Sequence, residues 1–211
     1  MKEGNKMIEK LKYISILIIL LISFIFISIS SYASSISKDL SDNFFRLHIL
    51  ANSDSKEDQD LKLKVRDNII EYMNSLSYDG LSKQDAICLT QDHISDFENI
   101  AQKTIENEGY NYNVSLEIGN FYFPTKLYGN VSLPAGYYDA LKIEIGKAEG
   151  KNWWCSLFPP LCFVDISSGV IDEDTEELLK DNLSDEEFAI ITSDSETIKF
   201  KFKIVELFSN S

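Results

Sequence analysis

The residues that carry most enzyme chemistry are scarce in this chain. Two histidines and three cysteines occur among 211 residues. Neither Cys-x-x-Cys nor His-Glu-x-x-His is present, so the ligand spacings of a zinc site are missing. The Gly-x-Ser-x-Gly elbow and the Gly-rich phosphate loops are missing as well. Asp165–Glu176 has acidic ends, but Gly169 falls at the fifth position where a calcium loop needs glycine at the sixth. A nucleophilic cysteine needs a base within reach, and only His48 and His93 offer one. No catalytic residue, metal or cofactor is expected, and the chain is read as a non-enzyme.

Positive charge is scarce too. Twenty Lys and Arg face 34 Asp and Glu, for a net charge of −14. A chain this acidic does not bind nucleic acid or anionic lipid through general electrostatics. The partners it suits are basic patches or apolar grooves on other proteins. Its 44% hydrophobic content is enough for a packed core, and the length predicts one domain with accessory segments.

The amino terminus holds the one long apolar run. Lys2, Lys6, Lys10 and Lys12 precede an uncharged stretch, Ile14 to Ile29, and Ser31-Tyr32-Ala33 supplies small residues at the positions a signal peptidase reads. As a helix the run spans roughly 24 Å, short of a ~30 Å hydrocarbon core. Residues 1–33 are therefore read as a signal peptide cleaved after Ala33, with an uncleaved anchor as the alternative. Loss of 1–33 removes four Lys and two Glu, moving the charge from −14 to −16.

The remainder reads as one α+β domain, with amphipathic helices on a mainly antiparallel sheet. Residues 34–43 are a Ser- and Asp-rich linker, 44–167 the core domain, and 168–211 a carboxy-terminal helix and strand. From Phe44 the pattern alternates, with Phe45, Leu47, Ile49 and Ala51 on one face and Arg46 and His48 on the other. Ser55 and Asp58 open a helix that runs to about Leu76, with Leu61, Val65, Ile69 and Met73 inward and Lys62 elsewhere. Tyr78-Asp79-Gly80 ends it. Ser82–Leu89 predicts a short helix holding Cys88 in the core. Thr90 caps a longer one, with Ile94, Phe97, Ala101 and Ile105 inward, His93 near its polar face and Gly109 as terminator. Then the period becomes two. Tyr112–Ile118 and Phe121–Phe123 flank a Gly119-Asn120 hairpin turn, and Leu133–Gly136 turns the chain into Tyr137–Ile145, for a three-stranded meander. Leu161–Ile166 predicts a short buried strand, Asp172–Asp181 an acidic helix, and Ile198–Ile204 a half-buried strand.

The stretch Lys151–Asp165 stands apart. It holds both tryptophans, two of the three cysteines and the adjacent Pro159 and Pro160. Prolines cannot donate to a ladder, so a fixed non-repetitive loop is expected. Two readings of Trp153 and Trp154 stay open: both are core anchors, or one packs inward while the other joins Phe158 in a binding surface. Two readings of Cys155 and Cys162 stay open as well, a disulfide or packed free thiols.

Two blocks go beyond generic patterns: Arg46-Leu-His-Ile-Leu-Ala-Asn-Ser-Asp54 running into Asp60–Asp67, and Phe121-Tyr-Phe-Pro-Thr-Lys126 with Tyr128-Gly, Leu133-Pro-Ala-Gly136 and Lys151–Asp165. In order and content they resemble the stage II sporulation protein R family, from Phe45 to Asp165. That resemblance implies a secreted signal of endospore-forming bacteria. It would be made in the forespore and exported into the space between the forespore and mother-cell membranes. There it would activate a membrane-embedded aspartic protease, stage II sporulation protein GA, which processes pro-sigma-E. Contact with the membrane would be through the signal segment alone. On this reading Trp153, Trp154, Phe158, Pro159 and Pro160, with Arg46 and His48 on an adjacent edge, form the partner-binding surface. The alternatives are an extracytoplasmic hydrolase using Cys155 and His48, and a structural protein of the sporulation septum.

Overall fold

The computed structural model describes residues 2–76, 81–162, 171 and 173–192. It opens with a long helix, α1 (Lys2–Asn43). The apolar run within it, including Leu17, Ile19 and Ile22, stays exposed. Among the described residues, no helix is long and apolar enough to cross a membrane. The linker expected over 34–43 is instead the end of α1. Leu40 is fully buried in the core. The Lys83 Nζ donates to the Ser41 carbonyl at 3.1 Å, and the Asn43 side-chain amide donates to Glu187 at 2.9 Å. A run of Ser and Asp reads as a tether only while Leu40 has nothing to pack on, and the core supplies that surface.

Next come β1 (Phe45–Leu50), α2 (Lys56–Ser75), α3 (Lys83–Asp92) and α4 (Ile94–Asn107). Strands β2 (Val114–Phe123), β3 (Lys126–Tyr128), β4 (Val131–Leu133), β5 (Gly136–Ile145) and β6 (Asn152–Phe158) follow. Helices α5 (Glu173–Asn182) and α6 (Asp185–Thr192) come last. The main sheet has the order β2-β5-β1-β6, with β3 and β4 forming a separate hairpin. The class is α+β with a mixed sheet: β2–β5 and β1–β6 are antiparallel and the central β1–β5 pair is parallel.

Helix boundaries follow the local chemistry. The Ser55 hydroxyl accepts from the Asp58 amide at 3.1 Å and caps α2. Leu61, Val65, Ile69 and Met73 of α2, with Phe97, Ala101 and Ile105 of α4, are buried as their spacing requires. Each of the larger side chains contributes on the order of 1.5–3 kcal/mol by leaving water, and Ala101 less. Thr90, expected to cap α4, lies inside α3. It is fully buried and its hydroxyl donates back to the Ala86 carbonyl at 2.8 Å. Ser82 is the cap of α3, and His93 sits between the two helices. Cys88, expected in the core, is exposed. Lys62, expected on the polar face, is only 4% exposed.

The expected meander is not formed. Gly119 and Asn120 continue β2 as one extended strand, because β5 supplies partners at Ala140 and Asp139 and the Asn120 amide donates to Asp139 at 3.1 Å. The tight turn lies later, at Gly129-Asn130 between β3 and β4. The Trp-rich stretch is an edge strand, β6, rather than a loop. Pro159 and Pro160 follow it, with a cis bond at Phe158–Pro159. The helix-ending Tyr78–Gly80, residues 163–166 of the expected buried strand, and the strand expected over 198–204 lie outside the described residues.

Candidate functional site

Strand parity sorts the notable residues onto two sides of the sheet. Leu47, Ile49, Leu141 and Ile143 face the helices, and cross-strand register adds Cys155 opposite Leu47 and Trp153 opposite Ile49. Arg46 and His48 face the other way, joined by Trp154 opposite His48. The two tryptophans therefore serve different faces. Trp153 is half-buried, and the Arg66 guanidinium of α2 lies 4.2 Å over its ring. Trp154 is half-buried on the second face, stacked on His48 with centroids 3.7 Å apart and edge-on to Phe123 at 4.7 Å.

The second face is built around Arg46. The side chain is 0% exposed. Its guanidinium lies 4.1 Å over Phe123 and 4.8 Å from the Tyr138 centroid. Nη2 donates to the Tyr128 hydroxyl at 2.6 Å and Nε to the Cys155 carbonyl at 3.4 Å, while Nη1 is buried with no partner. The Tyr128 hydroxyl in turn donates to the Trp154 carbonyl at 3.1 Å, fastening the β3–β4 hairpin over this end of the sheet. Burial pushes the Tyr138 and Tyr128 phenols up, with Arg46 opposing. Arg46, Phe158 and Pro159 are thus core residues here and present no free surface, a correction to the docking role read from sequence. Pro160 is half-buried at the turn.

Away from the hairpin the face opens. Lys142, opposite His48, reaches Glu144 at 2.9 Å and Glu117 at 3.7 Å, with its Nζ 5.1 Å over the Phe121 ring. Asn152 is exposed, and its Oδ1 lies 2.7 Å from His48 Nε2. An acceptor there places the His48 proton on Nε2 and leaves the buried Nδ1 bare. Burial is the main cause that lowers the His48 pKa to about 4; the Asn152 bond opposes it, and Lys142 and Arg46 add to it.

This fixes a pH response. Between pH 6.5 and 4 the unfolded chain takes up a proton that the folded chain refuses, so stability falls as pH falls through that window and is unaffected above it. The full gap corresponds to on the order of 3 kcal/mol. Asp58 and Asp139 also have lowered pKa values, so their contribution is lost only at lower pH, as it falls through values below 3.8. Denaturant unfolding at pH 7 and pH 4.5 is expected to show most of this loss in the wild-type chain. His48→Phe, which keeps a ring on Trp154, should flatten it; an equal slope in both would refute the assignment.

The Cys155–His48 pair considered from sequence does not form. The two residues lie on opposite faces of the sheet, and Cys155 is bridged to Cys162 with Cα atoms 5.0 Å apart. Of the two readings of the thiols, the disulfide is the one present. His93 is elsewhere, half-buried beside Tyr72 and Asp96 at 3.0 and 2.9 Å. Among the described residues no cluster could hold a metal ion.

The Asn52-Ser53-Asp54 block has a structural task. The β5–β6 connection passes across the end of β1, and β1's outgoing loop receives it. Gly150 N donates to the Ala51 carbonyl at 2.9 Å and Glu149 N to the Asn52 carbonyl at 3.3 Å. Lys147 N donates to Asn52 Oδ1 at 3.0 Å and Lys151 N to Asp54 Oδ1 at 2.7 Å. Buried Asp58 gathers the Asn52 amide and Ser53 hydroxyl at 2.8 and 2.6 Å. Burial alone would raise its pKa, but hydrogen bonds from Ser53, Asn52, Tyr112 and Ser55 hold it down. Lys62 closes the set by donating to Gln59 and to the Lys151 carbonyl, both within 2.8 Å.

Sequence reasoning singled out Arg46, His48 and Trp154 but missed that Phe123, Tyr128, Tyr138 and Lys142 gather around them. The signal was present in part, since Phe121–Lys126 and Tyr128-Gly had already stood out as a block.

Comparison with known families places this disulfide-bridged α+β domain among sporulation proteins. The family model for Stage II sporulation protein R matches residues 41–168, more than half of the chain, and the chain belongs to that family. It is 43% identical over 136 residues to Stage II sporulation protein R of Bacillus subtilis strain 168, covering 64% of this chain and 61% of the relative. The chain thus spans about 61% of the length of that curated relative. No solved structure matches it. The matched segment includes the whole main sheet and the β3–β4 hairpin, while α5 and α6 lie beyond it.

Proposed function

We propose that this sporulation protein is a secreted intercellular signal, exported from the forespore to activate the mother-cell membrane aspartic protease, stage II sporulation protein GA, that processes pro-sigma-E. It acts by binding, not by catalysis. The family match is the observation that carries this reading. The separation of Cys155 from His48, with the thiol held in a disulfide, favours a binding role over the hydrolase alternative. The contact surface is the open part of the second face: Trp154, backed by the buried His48 ring it stacks on, with Lys142, Phe121 and Asn152 around it. Half-buried aromatics beside a polar rim are the composition of an interface hot spot. Binding activates only by its differential affinity for the active arrangement of the protease.

The test is co-expression of the full chain with the protease and pro-sigma-E in a non-sporulating bacterial host, with processing followed by immunoblot. Processing is expected only when the chain is present and exported. Trp154→Ala is expected to lower it roughly tenfold at unchanged export, the effect of losing one hot-spot side chain. A folded, exported chain that gives no processing overturns the signalling reading and leaves the septal structural role.

A further inference from the structure

Arg46 is an energetic anomaly. A buried guanidinium loses its hydration, a cost of several kcal/mol that an ion partner normally offsets. Among the described residues Arg46 has none: its hydrogen bonds go to a phenol and a carbonyl, and Nη1 is buried without a partner. Cation–π contacts with Phe123 and Tyr138 recover only part of that cost.

A second cation stands beside it. Lys126 shares a face of β3 with Tyr128, the residue whose hydroxyl takes the Arg46 bond, so it projects toward the same end of the sheet. Lys126 is half-buried and has neither ion pair nor hydrogen bond among the described residues. Burial, and after it the charge of Arg46, lowers its pKa. In a chain with 34 acidic residues, two neighbouring cations without a carboxylate partner among the described residues are conspicuous. Among the described acids of the sheet, Glu117 and Glu144 are engaged with Lys142, and Asp139 with Lys83 at 2.7 Å.

We propose that Arg46 and Lys126 form a receptor for a carboxylate of the protein partner, with the β3–β4 hairpin as its cover. Nη1 is sealed from solvent, so the carboxylate enters as the hairpin shifts. The hairpin has no ladder to the main sheet. The Tyr128 hydroxyl is its hydrogen-bonded latch there, accepting from Arg46 and donating to Trp154. A carboxylate oxygen would take the Nη1 proton now unused and pair with the Lys126 ammonium. This geometry deepens the signalling proposal and rests on it for the partner's identity, but the site itself can be tested alone.

The chain has two arginines, Arg46 and Arg66, which makes the measurement simple. Full-length 15N-labelled chain in non-ionic detergent is titrated with sodium acetate, sodium phosphate and sodium chloride at matched ionic strength, and the two arginine Nε–H signals are followed by NMR. Acetate is expected to shift the Arg46 signal saturably and leave Arg66, stacked on Trp153, unmoved. Lys126→Ala should weaken the apparent acetate affinity about tenfold at an unchanged unfolding midpoint, and Lys126→Arg should retain it. No saturable shift with acetate, or a shift with phosphate alone, overturns the carboxylate receptor. In the co-expression assay Lys126→Glu should lose processing while Lys126→Arg keeps it. If the wild-type chain gives no processing yet acetate binds, the signalling reading fails and the receptor stands.

Discussion

Arg46→Ala is expected to cost about 3–5 kcal/mol of unfolding free energy, the largest single effect in the domain. Arg46 heads the fully buried side chains by volume. Its truncation leaves a cavity walled by Phe123, Tyr138 and Tyr128, and such cavities are penalised because the surrounding rings relax only partly. It also removes the donor that latches Tyr128. Arg46→Met makes the contrast. Methionine fills most of the same space over Phe123 and has no charge to bury, so its cost should stay below about 1.5 kcal/mol. Denaturant midpoints of the two variants, at constant slope, decide the point. An Arg46→Ala midpoint equal to wild type would show that the side chain is not packed as described. If Arg46→Met keeps the fold and abolishes the acetate response, the guanidinium is present for recognition and not for stability.

The second large effect is at Gly150. A Cβ built there would lie 2.2 Å from the Ser53 carbonyl oxygen and 3.0 Å from the Ala51 Cβ. The first contact is with backbone, which cannot swing aside as the end of a flexible side chain can. The backbone is held on both sides, since Gly150 N donates to the Ala51 carbonyl and Lys151 N to Asp54. Gly150→Ala must therefore push the β5–β6 connection off the end of β1, breaking part of the clamp, at a cost of about 3 kcal/mol. Ala148→Gly, two residues earlier, relieves a positive φ of 55° and is the control: it should be neutral or stabilising. Thermal unfolding of both variants checks this. A Gly150→Ala protein as stable as wild type would mean that the clamp yields freely.

Helices were largely legible in the sequence. The Ser55 cap, the inward positions of α2 and α4 and the strand character of Phe45–Leu50 rest on interactions within a few residues, which local spacing records. The Trp-Trp-Cys and Phe-Pro-Pro-Leu-Cys blocks, with the first-strand motif, carried the family. Strand partnership was not legible. Residues 114–123 become one strand because β5 offers ten consecutive partners, and nothing within Gly119-Asn120 announces them. The Trp-rich stretch becomes β6 because β1 presents a free edge, despite two prolines that suggested a loop. Leu40 ends a helix instead of lying in a tether because a core formed by later residues receives it.

The candidate site divides in the same way. Residue types and blocks pointed to Arg46, His48 and the two tryptophans. Only register could place Trp153 with Arg66 and Trp154 with His48, because neighbours in a strand point to opposite faces and a one-residue slip would exchange them. The sequence by itself determined the acidity, the lack of catalytic and metal spacings, the helical faces and the family. The tertiary structure alone decided that Arg46 is buried with its Nη1 unused, that Cys155 and His48 are on opposite sides, and that the Arg46 charge is felt at Lys126. Those are long-range facts, set by how residues dozens to more than a hundred positions apart share one sheet.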